Sequence, residues 1–140
     1  MRTPVFLHIQ ESFYRHGYPQ EHQILTQGVW IQDENLIRLE YQLLDPEQHP
    51  TPLNASVMLA EGVWHVTRPS FGADLLTLCP GKVCTNVYSG EDGYLMDVIP
   101  TQLVWEKKEN GGEVLVRCRC SRDGRPYRDY ELNVHYTTLS

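Results

Sequence analysis

The chain has 140 residues, of which 41% are hydrophobic and 21% charged, with a formal net charge of −6 and a pI near 5.4. Residues 1–140 suffice for one domain that buries its own core, and the composition is that of an ordinary globular protein. The acidic balance excludes nucleic acid and anionic membrane surfaces as expected partners, because phosphate contacts need a basic face.

The first strand is predicted at Val5-Phe6-Leu7-His8-Ile9-Gln10, with Val5, Leu7 and Ile9 on one face. A turn at Arg15 to Pro19 leads into a second strand from about Gln23 to Ile31, where Gly28 predicts a bulge or sharp bend. After the tight turn Asp33-Glu34-Asn35, the segment from Leu36 to Leu44 alternates Ile37, Leu39, Tyr41 and Leu43 with Arg38, Glu40 and Gln42. Asp45 to Pro52 holds three prolines and reads as a surface loop. Leu53, Ala55, Val57 and Leu59 then alternate up to a two-residue turn at Glu61-Gly62, and Trp64, Val66 and Arg68 share a face on the return. Short strands follow at Leu75 to Cys79 and Val83 to Tyr88, around Pro80-Gly81 and before Gly90-Glu91-Asp92-Gly93. The long segment from Tyr94 to Trp105 is predicted to bend at Pro100. Asn110-Gly111-Gly112 is a hairpin signal, Val114, Val116, Cys118 and Cys120 share a face, and the turn Arg122-Asp123-Gly124-Arg125-Pro126 leads to a closing strand alternating Tyr130, Leu132, Val134 and Tyr136. Short helical turns at Ser56 to Glu61 or Ala73 to Leu78 fit the apolar runs equally well.

This pattern predicts an all-β fold, a small antiparallel up-and-down barrel of the calycin or lipocalin kind with about eight to ten strands. Its interior would take Leu7, Ile9, Leu39, Tyr41, Val57, Leu59, Trp64, Val66, Val116, Leu132 and Val134, and the same register carries Arg68 inward. A desolvated guanidinium needs a carboxylate or several acceptors. In the functional reading, Arg68 holds the acidic head of a small amphipathic or hydrophobic ligand, Tyr41 and Tyr88 add hydroxyls, and Trp64 belongs to the aromatic and aliphatic wall. In the structural reading, Arg68 pairs with an acid or loop carbonyls at the rim.

The cysteines do not have zinc-site spacing: Cys118 and Cys120 read as small buried hydrophobes, and Cys79 and Cys84 flank a turn, across which a crosslink is geometrically conceivable but not expected in a reducing cytosol. His8 and His135 are expected as an outward cross-strand pair. No nucleophile elbow, zinc-binding helix motif or phosphate loop is present, so no catalytic residue, metal or cofactor is assigned and an enzymatic role finds no motif. With no stretch near twenty apolar residues and no signal-peptide core after Met1, the expectation is a cytoplasmic, bacterial protein with reduced thiols and no membrane span. The alternative function is a non-enzymatic interaction module: a filled barrel acting through surface contacts, with Trp30, Trp105 or Tyr127 on a homodimer or partner face.

An ordered set of segments carries a family likeness. It comprises Phe6-Leu7-His8-Ile9, Thr26-Gln27-Gly28-Val29-Trp30, Leu36 to Tyr41, Arg68-Pro69-Ser70, Leu78-Cys79-Pro80-Gly81, Tyr88 to Thr101 and Tyr130-Glu131-Leu132-Asn133-Val134. Together these resemble the YwiB-like family of small bacterial proteins, a domain of unknown function, over nearly the whole chain. The resemblance implies a calycin-type β-barrel and no established activity, cofactor or catalytic residue. The chain departs from the family pattern in Pro69-Ser70 after Arg68 and in the Cys118-x-Cys120 pair, both of which bear on the barrel mouth.

Overall fold

In the computed structural model the strands are β1 (Arg2–Arg15), β2 (Tyr18–Asp33), β3 (Leu36–Asp45), β4 (His49–Ala60), β5 (Val63–Thr67), β6 (Leu75–Leu78), β7 (Cys84–Val87), β8 (Leu95–Lys108), β9 (Gly111–Arg122) and β10 (Arg125–Thr138). The structure describes the backbone of residues 1–15, 18–45, 49–67, 75–87 and 95–139. Side chains are described for residues 1–12, 21–42, 54–67, 76–86, 95–126 and 128–139. All ten strands form one antiparallel sheet in the order β6-β5-β4-β3-β2-β1-β10-β9-β8-β7. Every link is a chain neighbour except β1–β10, so the sheet winds up and down from both termini into a nearly closed barrel. Ser56–Ala60 and Leu75–Leu78 are strand; Ala73 and Asp74 lie outside the described residues.

Alternation places the core. Val5, Leu7, Ile9, Leu39, Tyr41, Val57, Trp64, Val66, Val116, Leu132 and Val134 all turn inward and lose nearly all solvent contact, with Leu59 half-buried against them. The outward register carries Arg38 beside Glu40 and Arg117 beside Glu131. Two hairpins turn as their sequences require: Glu61-Gly62 and Asp123-Gly124 both adopt positive φ at both positions (51° and 80°, 53° and 74°), which matches the twist of the flanking strands.

Prolines mark where the strands depart from plain alternation, and Gly28 marks a close approach. Pro100 pairs with Cys118 and Gln102 with Arg117, so Thr101 is an extra residue and β8 bends there, as its proline predicts. The expected loop from Asp45 to Pro52 is shorter than its prolines suggest, because β4 begins at His49. Leu43 faces Leu53 and Asp45 faces His49, so Pro50 and Pro52 fall within an irregularity opposite Leu44, where a missing N–H breaks no regular ladder. Gly28 is not a bulge: the β1–β2 register runs through it unbroken. It is a point of close approach, since a Cβ there would overlap the Glu40 carbonyl oxygen and lie 2.7 Å from Leu7 Cδ1. Ladder pairing between β2 and β3 also stops at Gly28–Tyr41, beyond which Thr26 Oγ1 donates to Gln42 O at 3.4 Å.

The closing seam lies between β6 and β7, which exchange no ladder bonds. A side chain substitutes for the missing backbone partner. Thr77 N donates to Asn86 Oδ1 at 2.8 Å, and Asn86 Nδ2 donates to Thr77 O at 3.2 Å and to Cys84 O at 3.3 Å. An amide carries one donor group and one acceptor, so it can pair with both backbone groups of a single residue. Asn86 is 6% exposed, which makes these bonds costly to lose.

Two stability outcomes follow. Asn86→Ala strands the Thr77 N–H and C=O and is expected to cost about 1–3 kcal/mol in urea unfolding; a loss within about 0.5 kcal/mol contradicts the seam assignment. Gly28→Ala, which would usually stiffen a strand, is expected to destabilise by about 1–3 kcal/mol because backbone and Leu7 must move. A neutral or stabilising result would contradict the close approach.

Candidate functional site

The two ends of the barrel differ in chemistry. One end, where β2, β4, β6 and β8 finish, is filled by aromatic rings. Trp64 lies 5.9 Å from Trp105, Trp30 lies 5.9 Å from Tyr136, and Trp105 Nε1 donates to the Tyr136 hydroxyl at 3.1 Å. Burial pushes the Tyr136 hydroxyl pKa upward, and the indole donor partly opposes it. Lys107 stands over the Trp30 ring at 5.0 Å and donates to Gln32 Oε1 at 2.6 Å. These rings cluster together at this end.

The opposite end, where β1, β3, β5, β7 and β9 finish, carries polar groups on the inward register. Glu11 continues the series Val5, Leu7, Ile9 and is 1% exposed. Tyr130, 2% exposed, donates its hydroxyl to Glu11 Oε2 at 2.7 Å, in the range of a strong charge-assisted bond. Tyr130 faces Cys118 across the β10–β9 ladder, and Arg128 faces Cys120. The two thiols are 2% and 1% exposed and free. Their mutual hydrogen bond holds the Cys118 thiol far above its ordinary range, and burial adds to this. Cys120 is shifted the other way by the Cys118 bond and by the Arg128 cation that bonds it. A carboxylate, a phenol, a guanidinium and two thiols thus share one end of an otherwise aliphatic interior.

Tyr41 is buried in line with Gly28 and Val5, six residues before Glu11 on β1, whereas Trp64 belongs to the aromatic end. Tyr41 is opposite Ala55 and Trp64 opposite Leu59. The four-residue offset along β4 is about 13 Å at 3.3 Å per residue, so the two are not brought together. Arg68 directly follows β5 and Tyr88 directly follows β7, strands that finish at the polar end; both residues lie outside the described residues, as does Phe71. Trp30 and Trp105, candidates for a surface patch, pack against the core, and the Tyr127 side chain lies outside the described residues. His8 and His135 form the expected outward stacked pair, with ring centroids 6.4 Å apart.

Glu11 and Arg128 were not anticipated. The signal was present: extending the period-two register of Val5, Leu7 and Ile9 by one step gives Glu11, and stepping back from Leu132 and Tyr130 gives Arg128. A charge falling on an apolar register is the trace such a site leaves.

A cavity of about 460 Å³ opens on the outer side of β2 to β5, with Gly28, Tyr41 and Ala55 also in its lining. It is built on the cross-strand row Val29, Glu40, Ser56 and Thr67 and walled by Gln27, Gln42 and Asn54. Arg38 Nε is 3.1 Å from Glu40 Oε1 there, and Ser56 is 5% exposed. Among the described residues, no three His, Cys, Asp or Glu side chains converge as metal ligands, and no helix is long and apolar enough to cross a membrane.

With this geometry in hand, comparison with solved structures is decisive for the architecture. The crystal structure of the ywiB protein from Bacillus subtilis superposes with a TM-score of 0.75, covering 99% of this chain and 94% of that one at 16% identity. The fold is that of YwiB. The ordered segments that suggested the likeness therefore report a real shared architecture, and at this identity the match to YwiB speaks for fold alone. The sequence matches no family model and no curated protein.

The Tyr130–Glu11 bond supplies the test of the polar end. Tyr130→Phe keeps the ring and removes one donor from a buried carboxylate, so a loss of about 1.5–3 kcal/mol is expected in urea unfolding at neutral pH. A loss within about 0.5 kcal/mol would show that the hydroxyl contributes nothing to holding Glu11 inside.

Proposed function

We propose that this barrel binds a small amphipathic molecule at its polar end. The carrying observation is the asymmetry of the interior: rings cluster at one end, and a buried carboxylate–phenol pair with a neighbouring guanidinium marks the other. Ligand sites are typically apolar concavities with a few convergent polar groups, and buried ionisable groups concentrate at such sites. In this reading Arg68 meets an acidic head group, Tyr41 and Tyr88 contribute hydroxyls, and Trp64 belongs to the aromatic end that keeps the ligand at one mouth. No catalytic step is assigned.

The test uses a fluorescent dansyl-labelled fatty acid as the anionic amphiphile. Arg68→Ala is expected to weaken binding about tenfold or more, equivalent to about 1.4 kcal/mol, with an unchanged circular dichroism spectrum. Trp105→Phe, at the far end, is expected to leave affinity within about twofold. Equal affinity of wild type and Arg68→Ala would refute the assigned role, and no binding at all would remove the reading.

The packed middle of the barrel favours a second reading. Leu7, Leu39, Val57, Val66, Val116 and Leu132 are all 0% exposed, the density of a filled core. A filled barrel would act through its outer surface, as an interaction module or a homodimer. Native mass spectrometry separates the two: a co-purified small molecule supports the first, and a ligand-free dimer or complex supports the second.

A further inference from the structure

The seam that closes the barrel also brings two cysteines face to face. β6 and β7 are joined by Cys79-Pro80-Gly81-Lys82-Val83, in which Lys82 N donates to Cys79 O at 3.0 Å and Gly81 takes a φ of 72°. This reverses the chain tightly. Asn86 binds both backbone groups of Thr77, which sets Thr77 opposite Asn86. Counting two residues toward the turn on each side puts Cys79 opposite Cys84. The two side chains are neighbours, since Cys79 acts directly on the Cys84 thiol and raises its pKa. Both cysteines are half-buried and free, unlike the enclosed Cys118 and Cys120. A disulfide needs a Cα separation of about 4.4–6.8 Å, a span that the tight turn closed by Lys82 N on Cys79 O favours across its two ends.

We propose that Cys79 and Cys84 are a reversible redox site that forms an intramolecular disulfide by exchange with a low-molecular-weight disulfide, and that this bond locks the barrel seam. One cysteine, as thiolate, attacks a sulfur of the small disulfide; that S–S bond breaks and releases one small thiolate. The second cysteine, also deprotonated, attacks the protein sulfur of the mixed disulfide and expels the other small thiolate. The two protons lost by the cysteines end on the two released thiols, and two electrons pass from the cysteine pair to the small disulfide. The neighbouring Cys79 thiol, with burial adding to it, keeps Cys84 protonated above the usual thiol range. Exchange should therefore quicken as pH rises from about 7 to about 9.

Lys82 makes the test direct. Trypsin cuts between the two cysteines at Lys82 and leaves residues 39–82 and 83–107 as separate peptides, since Arg68 precedes a proline and resists cleavage. The whole folded protein is incubated with oxidised glutathione, alkylated, denatured and digested. The expected product is the two peptides joined and separable by reductant, forming about tenfold faster than in protein unfolded in urea. Cys79→Ser is expected to abolish the joined product and to leave glutathione attached at Cys84. Amide exchange at Thr77 is expected to slow in the oxidised protein. Separate peptides without reductant, or formation no faster in the folded than in the unfolded chain, would overturn the opposed register. Unchanged exchange at Thr77 would overturn the locking role.

Discussion

The barrel depends on a seam that, among the described residues, is bridged by the Asn86 side chain. Nine of its strand junctions are backbone ladders, and the tenth, between β6 and β7, is spanned by the Asn86 amide on Thr77. Closure at that point makes the lumen an interior rather than a groove. It is the condition under which a carboxylate such as Glu11 can be 1% exposed. An open sheet of the same strands would leave two unpaired edges, and the inward register would face water. The short length of β6 and β7, four residues each, fits this account, because a brief seam needs few bonds to replace a ladder.

Much of the fold was legible because alternation is a direct print of which way side chains face. The cleanest strand in the sequence, Leu36 to Leu44, is β3 with Leu39 and Tyr41 inside, and Pro100 marks a true register shift. Strand ends were less legible. β1 and β2 run on through polar residues such as Glu11, Ser12, Glu21 and His22, which carry no apolar alternation and are held by backbone pairing with their neighbours. That pairing is a tertiary fact. The same reason hid the strand character around Pro50 and Pro52, where an irregularity in β3–β4 pairing accommodates the prolines. Gly28 announced itself as special, but its role is set by Glu40 and Leu7, residues distant in the chain.

Of the expected site residues, Arg68 and Tyr88 lie outside the described residues, and Tyr41 and Trp64 are buried but not brought together. Reading one charge on an inward register led to Arg68; the same logic applied to longer strands would have found Glu11 and Arg128. Trp64 was rightly placed inside, but alternation says nothing about height along the barrel axis, and its partners Trp105 and Tyr136 put it at the aromatic end. Height depends on strand tilt and register, which emerge only when the sheet closes. The cysteines show the same limit. Burial of Cys118 and Cys120 follows from their strand, whereas the facing of Cys79 and Cys84 follows from the seam.

The proposed binding of a small amphipathic molecule at the polar end, away from the aromatic rings, is tested most directly by backbone amide and indole N–H chemical shifts during titration with a medium-chain fatty acid. The account predicts shift changes concentrated at Glu11, Arg128 to Tyr130 and Cys118 to Cys120, with the Trp30 and Trp105 indole signals unmoved. Changes confined to the indoles or to the outer surface of β2 to β5, or no changes at all, would contradict it.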